Sequence, residues 1–379
     1  MLNNLYYIFK FFSEILINLT VFTPKKVNVW KGLWENMFKG CYTALITPML
    51  KKGKVDVEGL KKLVEFQISQ GVSGVLAVGT TGESPTLYPE EHLLVIEKVY
   101  EYSSGRLLTI AGTGCNSTHK TLENTRKAYE MGVRAFLLVD PYYNGPSSLE
   151  IRREYIAPVA ERFPNAQIIP YVIPGRTGTQ LLPHDLAILH RKYANVKAVK
   201  EATGDFENMR LTRKLCGENF YILSGDDDKT FEMMADDTIK ASGVISVASN
   251  ITPAAVQRMT KLLLEKRVNE AAEICQKLNP FFRIVTVKTV EETAFGEVVV
   301  KARNPLPCKT LMNILGMPAG PLRPPLGKMT QKGLDVVLKA AREVYEKSPE
   351  ILAPIESFFD VDLSERLYNE KYWKGLAYD

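Results

Sequence analysis

The chain has 379 residues, 45% hydrophobic and 24% charged, with a net charge of +5. That is ordinary globular usage, and the length fits one large α/β barrel of about 250 residues plus a smaller helical addition. No Lys/Arg block suggests a nucleic-acid footprint, and the five cysteines (Cys41, Cys115, Cys216, Cys275 and Cys308) are odd in number and form no CxxC pair, which argues against a disulfide framework or a zinc cluster and for reduced thiols in a cytoplasmic protein.

Residues 2–23 are rich in Leu, Ile, Phe and Tyr, but Lys10 and Glu14 interrupt them. No apolar run reaches the roughly 20 residues of a membrane span, and no basic segment precedes it as in a signal peptide. Residues 1–36 are expected to be a poorly ordered extension, with a membrane-surface helix as the minor alternative. From residue 40 onward one pattern recurs: a short apolar run stops at Gly, Thr, Pro or Asp, and an amphipathic segment follows. The runs are 42–46, 75–78, 107–111, 135–139, 167–173, 196–199, 221–223 and 243–247. Between them apolar residues fall at helical spacing, as in Leu60, Leu63, Val64, Ile68 and in Leu93, Leu94, Ile96, Val99, Tyr100. Eight strands alternating with helices require parallel crossovers and close a (β/α)8 barrel, expected over residues 37–265. A doubly wound open sheet is the rival, but Ile46-Thr47-Pro48 stands where its Gly-rich dinucleotide turn would follow the first strand.

After residue 250 the strand signal fades. Residues 253–278 and 331–347 read as helices of a C-terminal helical domain, expected over 266–349 with an insertion near 286–302 and a Pro-rich stretch at 305–325. Residues 350–379 form a C-terminal extension that the pattern does not place.

In such a barrel the active site lies at the C-terminal ends of the strands. The sixth run leads to Lys200, in Val199-Lys200-Glu201-Ala202-Thr203-Gly204. A lysine partly desolvated at the mouth is nucleophilic; a lysine bridging the sheet rim is the plainer alternative. Lys197, three residues earlier, points to the other side of the strand. The second run ends in Gly79-Thr80-Thr81-Gly82-Glu83-Ser84, whose hydroxyls and N–H groups suit a carboxylate or a simple capping turn. The fourth ends in Asp140-Pro141-Tyr142-Tyr143-Asn144, where paired tyrosines suit packing or an interface. The fifth gives Tyr171, then Pro174-Gly175-Arg176-Thr177-Gly178, which suits a phenol proton shuttle and a carboxylate clamp. The seventh ends in Ser224-Gly225-Asp226-Asp227-Asp228, where a hydrogen-bonded helix start is favoured over a metal site.

These motifs, with Gly243-Val244-Ile245-Ser246-Val247, stand in the order and spacing of the dihydrodipicolinate synthase family, which residues 37–345 resemble. The resemblance implies a lyase of the pyruvate-dependent aldolase superfamily that needs neither metal nor organic cofactor. Lys200 would form the pyruvate Schiff base, and Thr80 and Thr81 would hold the pyruvate carboxylate. Tyr171 would be the general acid and base. Thr80 and Tyr143 would complete a proton relay, with Tyr143 reaching in from a neighbouring subunit of a homotetramer, a dimer of dimers. Arg176 would hold the carboxylate of L-aspartate 4-semialdehyde, and Gly225 and the Ile245 carbonyl would line the pocket. Val172 stands where the family usually has Asn.

The family's lysine-regulatory positions fall on Ser84, Pro89, His92, Asn116, Lys120 and Tyr142. Ser84, His92, Asn116 and Tyr142 match, but Lys120 replaces a Glu that would pair the inhibitor's ammonium, and Pro89 replaces a His or aromatic residue. Weak or absent inhibition by L-lysine is the expectation. Two other functions stay open: a sugar-acid or N-acetylneuraminate lyase, which Arg176 disfavours, and a catalytically silent scaffold barrel, which the intact Lys200, Tyr171, Thr80, Tyr143 and Arg176 disfavour.

Overall fold

Eight short strands, β1 (Gly40–Ala44), β2 (Gly74–Ala77), β3 (Leu108–Gly112), β4 (Ala135–Val139), β5 (Gln167–Val172), β6 (Ala198–Glu201), β7 (Tyr221–Ser224) and β8 (Gly243–Ser246), pair in parallel, in sequence order. β8 returns to β1 through the register Gly40↔Gly243 to Thr43↔Ser246, which closes the barrel. The computed structural model describes residues 37–378, so the expectation for residues 1–36 lies outside them. Every expected strand is present, with ends within two residues of those expected.

Each strand is followed by a helix: α1 (Val57–Ser69), α2 (Pro89–Ser103), α3 (Thr118–Glu130), α4, α5 (Pro183–Lys192), α6 (Phe206–Cys216), α7 (Thr230–Ala235) and α8 (Pro253–Leu264). α4 runs through Ser148–Glu150, a π-helical Ile151–Ile156 and Ala157–Arg162. Local chemistry starts these helices. Asp56 accepts from Gly59 N ahead of α1, and Asp205 accepts from Glu207 N and Asn208 N ahead of α6. Each such cap satisfies a backbone donor that has no intrahelical partner. Leu60, Leu63 and Val64 of α1 are fully buried against the barrel, as their spacing requires.

Beyond the barrel come α9 (Val268–Arg283), α10 (Leu306–Leu315), α11 (Gln331–Lys347), α12 (Ala353–Phe359) and α13 (Leu363–Tyr368). The expected single helix over 253–278 is two, because the chain turns at 265–267, where Lys266 adopts φ 61°. The Pro-rich stretch is helical in part. Residues 306–315 form α10, since Pro307 sits in the first turn, where no N–H is needed. The insertion at 286–302 is an antiparallel hairpin of β9 (Thr286–Thr293) and β10 (Gly296–Arg303). From Gly40 onward the chain is one compact unit.

The C-terminal extension is packed. Phe358 and Phe359 of α12 lie 5.2 and 5.1 Å from the Phe66 ring of α1. Arg366 of α13 donates to the carbonyls of Ile314 and Asn313, the last turn of α10, whose acceptors would otherwise be unsatisfied.

Candidate active site

Lys200 lies inside β6 rather than beyond it, directly opposite Tyr171 of β5 in the register. Partners in adjacent parallel strands point the same way, so both side chains enter the barrel mouth. The ammonium nitrogen sits 4.2 Å from the centre of the Tyr171 ring. Lys200 is 4% exposed. Burial pulls its pKa down to about 8; Asp226 and Asp227 oppose this, and Arg176 adds to it. Gly225 gives the lysine room, since a Cβ there would lie 3.1 Å from Lys200 Cε. Lys197 is exposed, on the other side of the strand.

Tyr171 is buried, which raises its phenol pKa, while Arg176 and a hydrogen bond with Thr80 oppose the rise. Thr80 and Thr81 stand on the turn after β2. That turn is flanked by Val78 and Glu83 at φ 50° and 58°, a left-handed conformation costly for side chains of this size. Three of its N–H groups are used internally: Gly82 and Ser84 donate to Gly79 O, and Glu83 to Thr80 O. The expected anion cradle therefore rests on the hydroxyls rather than on these amides. Arg176 occupies a single helical turn, Pro174–Thr177, closed by Gly178 at φ 72°. It stands exposed at the mouth and donates to Asn304 O at 3.1 Å.

Thr80, Thr81, Tyr171, Arg176, Lys200, Gly225 and Asp226 thus line one cavity of about 400 Å³. Burial holds Asp226 up at about 6. The next carboxylate, Asp227, faces away: it accepts from Ser246 Oγ and from Val247 N and Ala248 N, bracing the turn after β8. Among the described residues no three His, Cys, Asp or Glu are grouped to hold a metal ion.

The matches to known proteins follow this geometry. Residues 37–344 fit the model of the dihydrodipicolinate synthetase family. The 4-hydroxy-tetrahydrodipicolinate synthase of Methanococcus maripaludis is 40% identical over 77% of this chain and 94% of that protein. The one from Sulfurihydrogenibium is 41% identical over 81% and 98%. A crystal structure of dihydrodipicolinate synthase from Aquifex aeolicus superposes with a TM-score of 0.74 at 37% identity, covering 83% of this chain and 99% of that one. Another from Cyanidioschyzon merolae, with lysine bound, gives 0.74 at 30% identity over 81% and 98%. The chain belongs to the dihydrodipicolinate synthetase family. It is a lyase of that family.

Two of the expected residues stand apart from the family's cavity. Tyr143 is 92% exposed at φ 82°, outside the cavity wall of its own chain. Ile245 is fully buried within β8, and Val247 is the lining residue from that segment. The six positions expected to be regulatory do come together. Ser84, Pro89, His92, Asn116, Lys120 and Tyr142 line a second cavity of about 580 Å³ that shares Thr80, Tyr171, Ile173 and Arg176 with the first. His92 is buried there with Nδ1 unpartnered, and burial lowers its pKa to about 4, so the ring is neutral.

The motifs do not reveal five residues from the far end of the chain that meet the site. Asn304 Nδ2 donates to Thr81 Oγ1 at 2.9 Å across 223 residues. Lys309 pairs with Glu83 at 2.6 Å, both side chains fully buried, and also donates to Thr47 O and Pro321 O. Lys288, Lys301 and Arg303 of the hairpin line the Lys200 cavity. A sequence signal existed for Lys309 alone. It is the one charge in the apolar helix Leu306–Leu315, and such a charge needs a buried partner.

Proposed function

We propose that this chain condenses pyruvate with L-aspartate 4-semialdehyde to 4-hydroxy-tetrahydrodipicolinate through an imine on Lys200. The observation that carries this reading is one buried lysine of lowered pKa set against a buried tyrosine, in a cavity with two threonine hydroxyls and Arg176. The Lys200 amine attacks C2 of pyruvate. Tyr171 gives a proton to the departing oxygen, and water leaves. Loss of a C3 proton to the same relay turns the iminium into an enamine, whose carbon attacks the aldehyde. The acceptor's amino group then attacks C2, closes the ring and releases the Lys200 amine. Thr80 and Thr81 hold the pyruvate carboxylate, Arg176 holds that of the acceptor, and Gly225 keeps the lysine unobstructed.

Tyr143 completes the relay from a neighbouring copy, which fits its exposure and its place outside its own cavity. The working unit is then at least a dimer, and a homotetramer in the pattern of the family. Ile245 supports the pocket from within β8. The second cavity corresponds to the family's lysine site, with Lys120 facing the ammonium of any bound L-lysine. Free cysteines and soluble substrates fit a cytoplasmic enzyme. Among the described residues no helix is long and apolar enough to cross a membrane.

A panel of aldehydes offered with pyruvate tests the acceptor. L-Aspartate 4-semialdehyde is expected to turn over at least about 100-fold faster in kcat/KM than glyceraldehyde or N-acetylmannosamine, because those sugars offer no carboxylate to Arg176. A preference for a sugar would replace this reading with that of a sugar-acid lyase.

A further inference from the structure

The cavity that holds Lys200 is far more cationic than the chemistry inside it requires. Arg176, Lys288, Lys301 and Arg303 line it together with Lys200, against a single lining carboxylate, Asp226. Three of these cations come from the hairpin. Its register sets Lys288 directly opposite Lys301, and Thr286 opposite Arg303. Side chains alternate along a strand, so these four share one face. The other face, with Val287 buried and Thr289 against Thr330, packs on α11.

Two lysines directly opposite each other repel. Among the described residues neither forms a salt bridge, although both strands carry glutamates nearer the turn. Lys301 is pushed below its ordinary pKa by Arg303 first, then by burial, Lys288 and Arg176. Arg303 is tied down by donating to Gly175 O at 3.2 Å, next to Arg176. A hairpin that only had to fold has no physical reason to gather unpaired like charges at its base.

We propose that the β9–β10 hairpin is an electrostatic rim for the donor substrate: Lys288 and Lys301, with Arg303 and Arg176 behind them, draw the carboxylate of the 2-oxo acid into the Lys200 cavity. This rests on the reading of Lys200 as the imine-forming residue. Charge decides which substrate feels the rim. Pyruvate carries one negative charge, whereas the acceptor carries a carboxylate and an ammonium and is net neutral. A field from clustered cations concentrates the first and scarcely acts on the second. The rim therefore acts on kcat/KM for pyruvate and not on kcat.

The test is initial-rate kinetics across ionic strength from about 20 to about 300 mM, over which the screening length falls from roughly 20 to roughly 6 Å. Wild type is expected to lose roughly 10-fold in kcat/KM for pyruvate across that range, and less than about 2-fold for the acceptor. Lys288→Gln/Lys301→Gln is expected to start about 3- to 10-fold low for pyruvate at low salt and to show little further salt dependence, with kcat kept. Lys288→Arg/Lys301→Arg is expected to restore the salt dependence. Borohydride trapping on the same samples separates the two readings. A Lys200 adduct in the Gln variant together with a wild-type salt slope overturns the rim alone. Equal loss of kcat at all salt concentrations also overturns it, by making the hairpin a structural support. No adduct in wild type removes the site reading and the rim with it.

Discussion

Lys200 and Lys309 are both buried lysines, 4% and 0% exposed, and the structure treats them in opposite ways. Lys309 is surrounded by acceptors: the Glu83 carboxylate and the carbonyls of Thr47 and Pro321. Burial lowers its pKa, and Glu83 works against that. Three acceptors and no donor favour the ammonium form, so this lysine is a clamp. Lys200 has an aromatic face beside it and carboxylates that act only at longer range. Among the described residues no carbonyl or carboxylate accepts a hydrogen bond from its ammonium, which favours the neutral amine that the proposed chemistry needs. Burial alone does not make a nucleophile; burial without an acceptor does.

The clamp also serves the site. Glu83 closes the strained turn that presents Thr80 and Thr81, and its second oxygen accepts from Arg323 N at 2.9 Å. α10 is thereby fastened to the β2 turn, and Asn304, just before α10, reaches Thr81. The helical region thus sets the geometry of the barrel mouth.

The contrast can be broken first at the clamp. Lys309→Met leaves the buried Glu83 carboxylate without its counter-charge and is expected to cost about 3–5 kcal/mol of stability, read as a lower denaturation midpoint. Glu83→Gln/Lys309→Met is expected to recover much of that loss, because no charge is then stranded. A Lys309→Met protein as stable as wild type would mean the pair is not the fastening described.

pH sharpens the other half. With its pKa lowered to about 8, Lys200 gains its lone pair as pH rises, and the ammonium dominates below that value. With that pKa, about one molecule in ten is expected to hold the neutral amine at pH 7, against fewer than about one in a thousand for an unperturbed lysine. The rate of imine formation is expected to climb roughly 10-fold per pH unit below about 8 and then level off. Asp226 raises the lysine's pKa, so Asp226→Asn is expected to move that limb to lower pH. A limb near the ordinary lysine value would contradict the desolvated site.

Lys120 is a third lysine, exposed at the second cavity, and gives the smallest effect. Its charge opposes the ammonium of L-lysine, so calorimetry is expected to show no micromolar binding, and Lys120→Glu is expected to tighten binding roughly 10-fold or more. Micromolar binding to wild type would refute the expected weakness of this site.

The barrel was legible because its rules are local. Apolar runs of three to seven residues alternate with helical spacing, and strand ends then name Lys200, Tyr171, Thr80 and Arg176. What escaped depends on distance. Asn304 meets Thr81, and Lys309 meets Glu83, more than 220 residues away. The hairpin read only as an insertion, because its register alone shows Lys288 and Lys301 on one face. The helix Leu306–Leu315 was hidden by prolines that break a helix interior but fit its first turn. The extension after residue 350 has no periodicity of its own and is placed by Phe358 and Phe359 on Phe66.

The most direct test of Lys200 as the imine-forming residue is borohydride reduction in the presence of pyruvate, followed by peptide mass spectrometry of wild type and Lys200→Ala. The expected result is a reduced pyruvate adduct on the peptide that contains Lys200, absent from the folded variant. No adduct on folded wild-type protein, or an adduct on Lys309 or another lysine, would contradict the account.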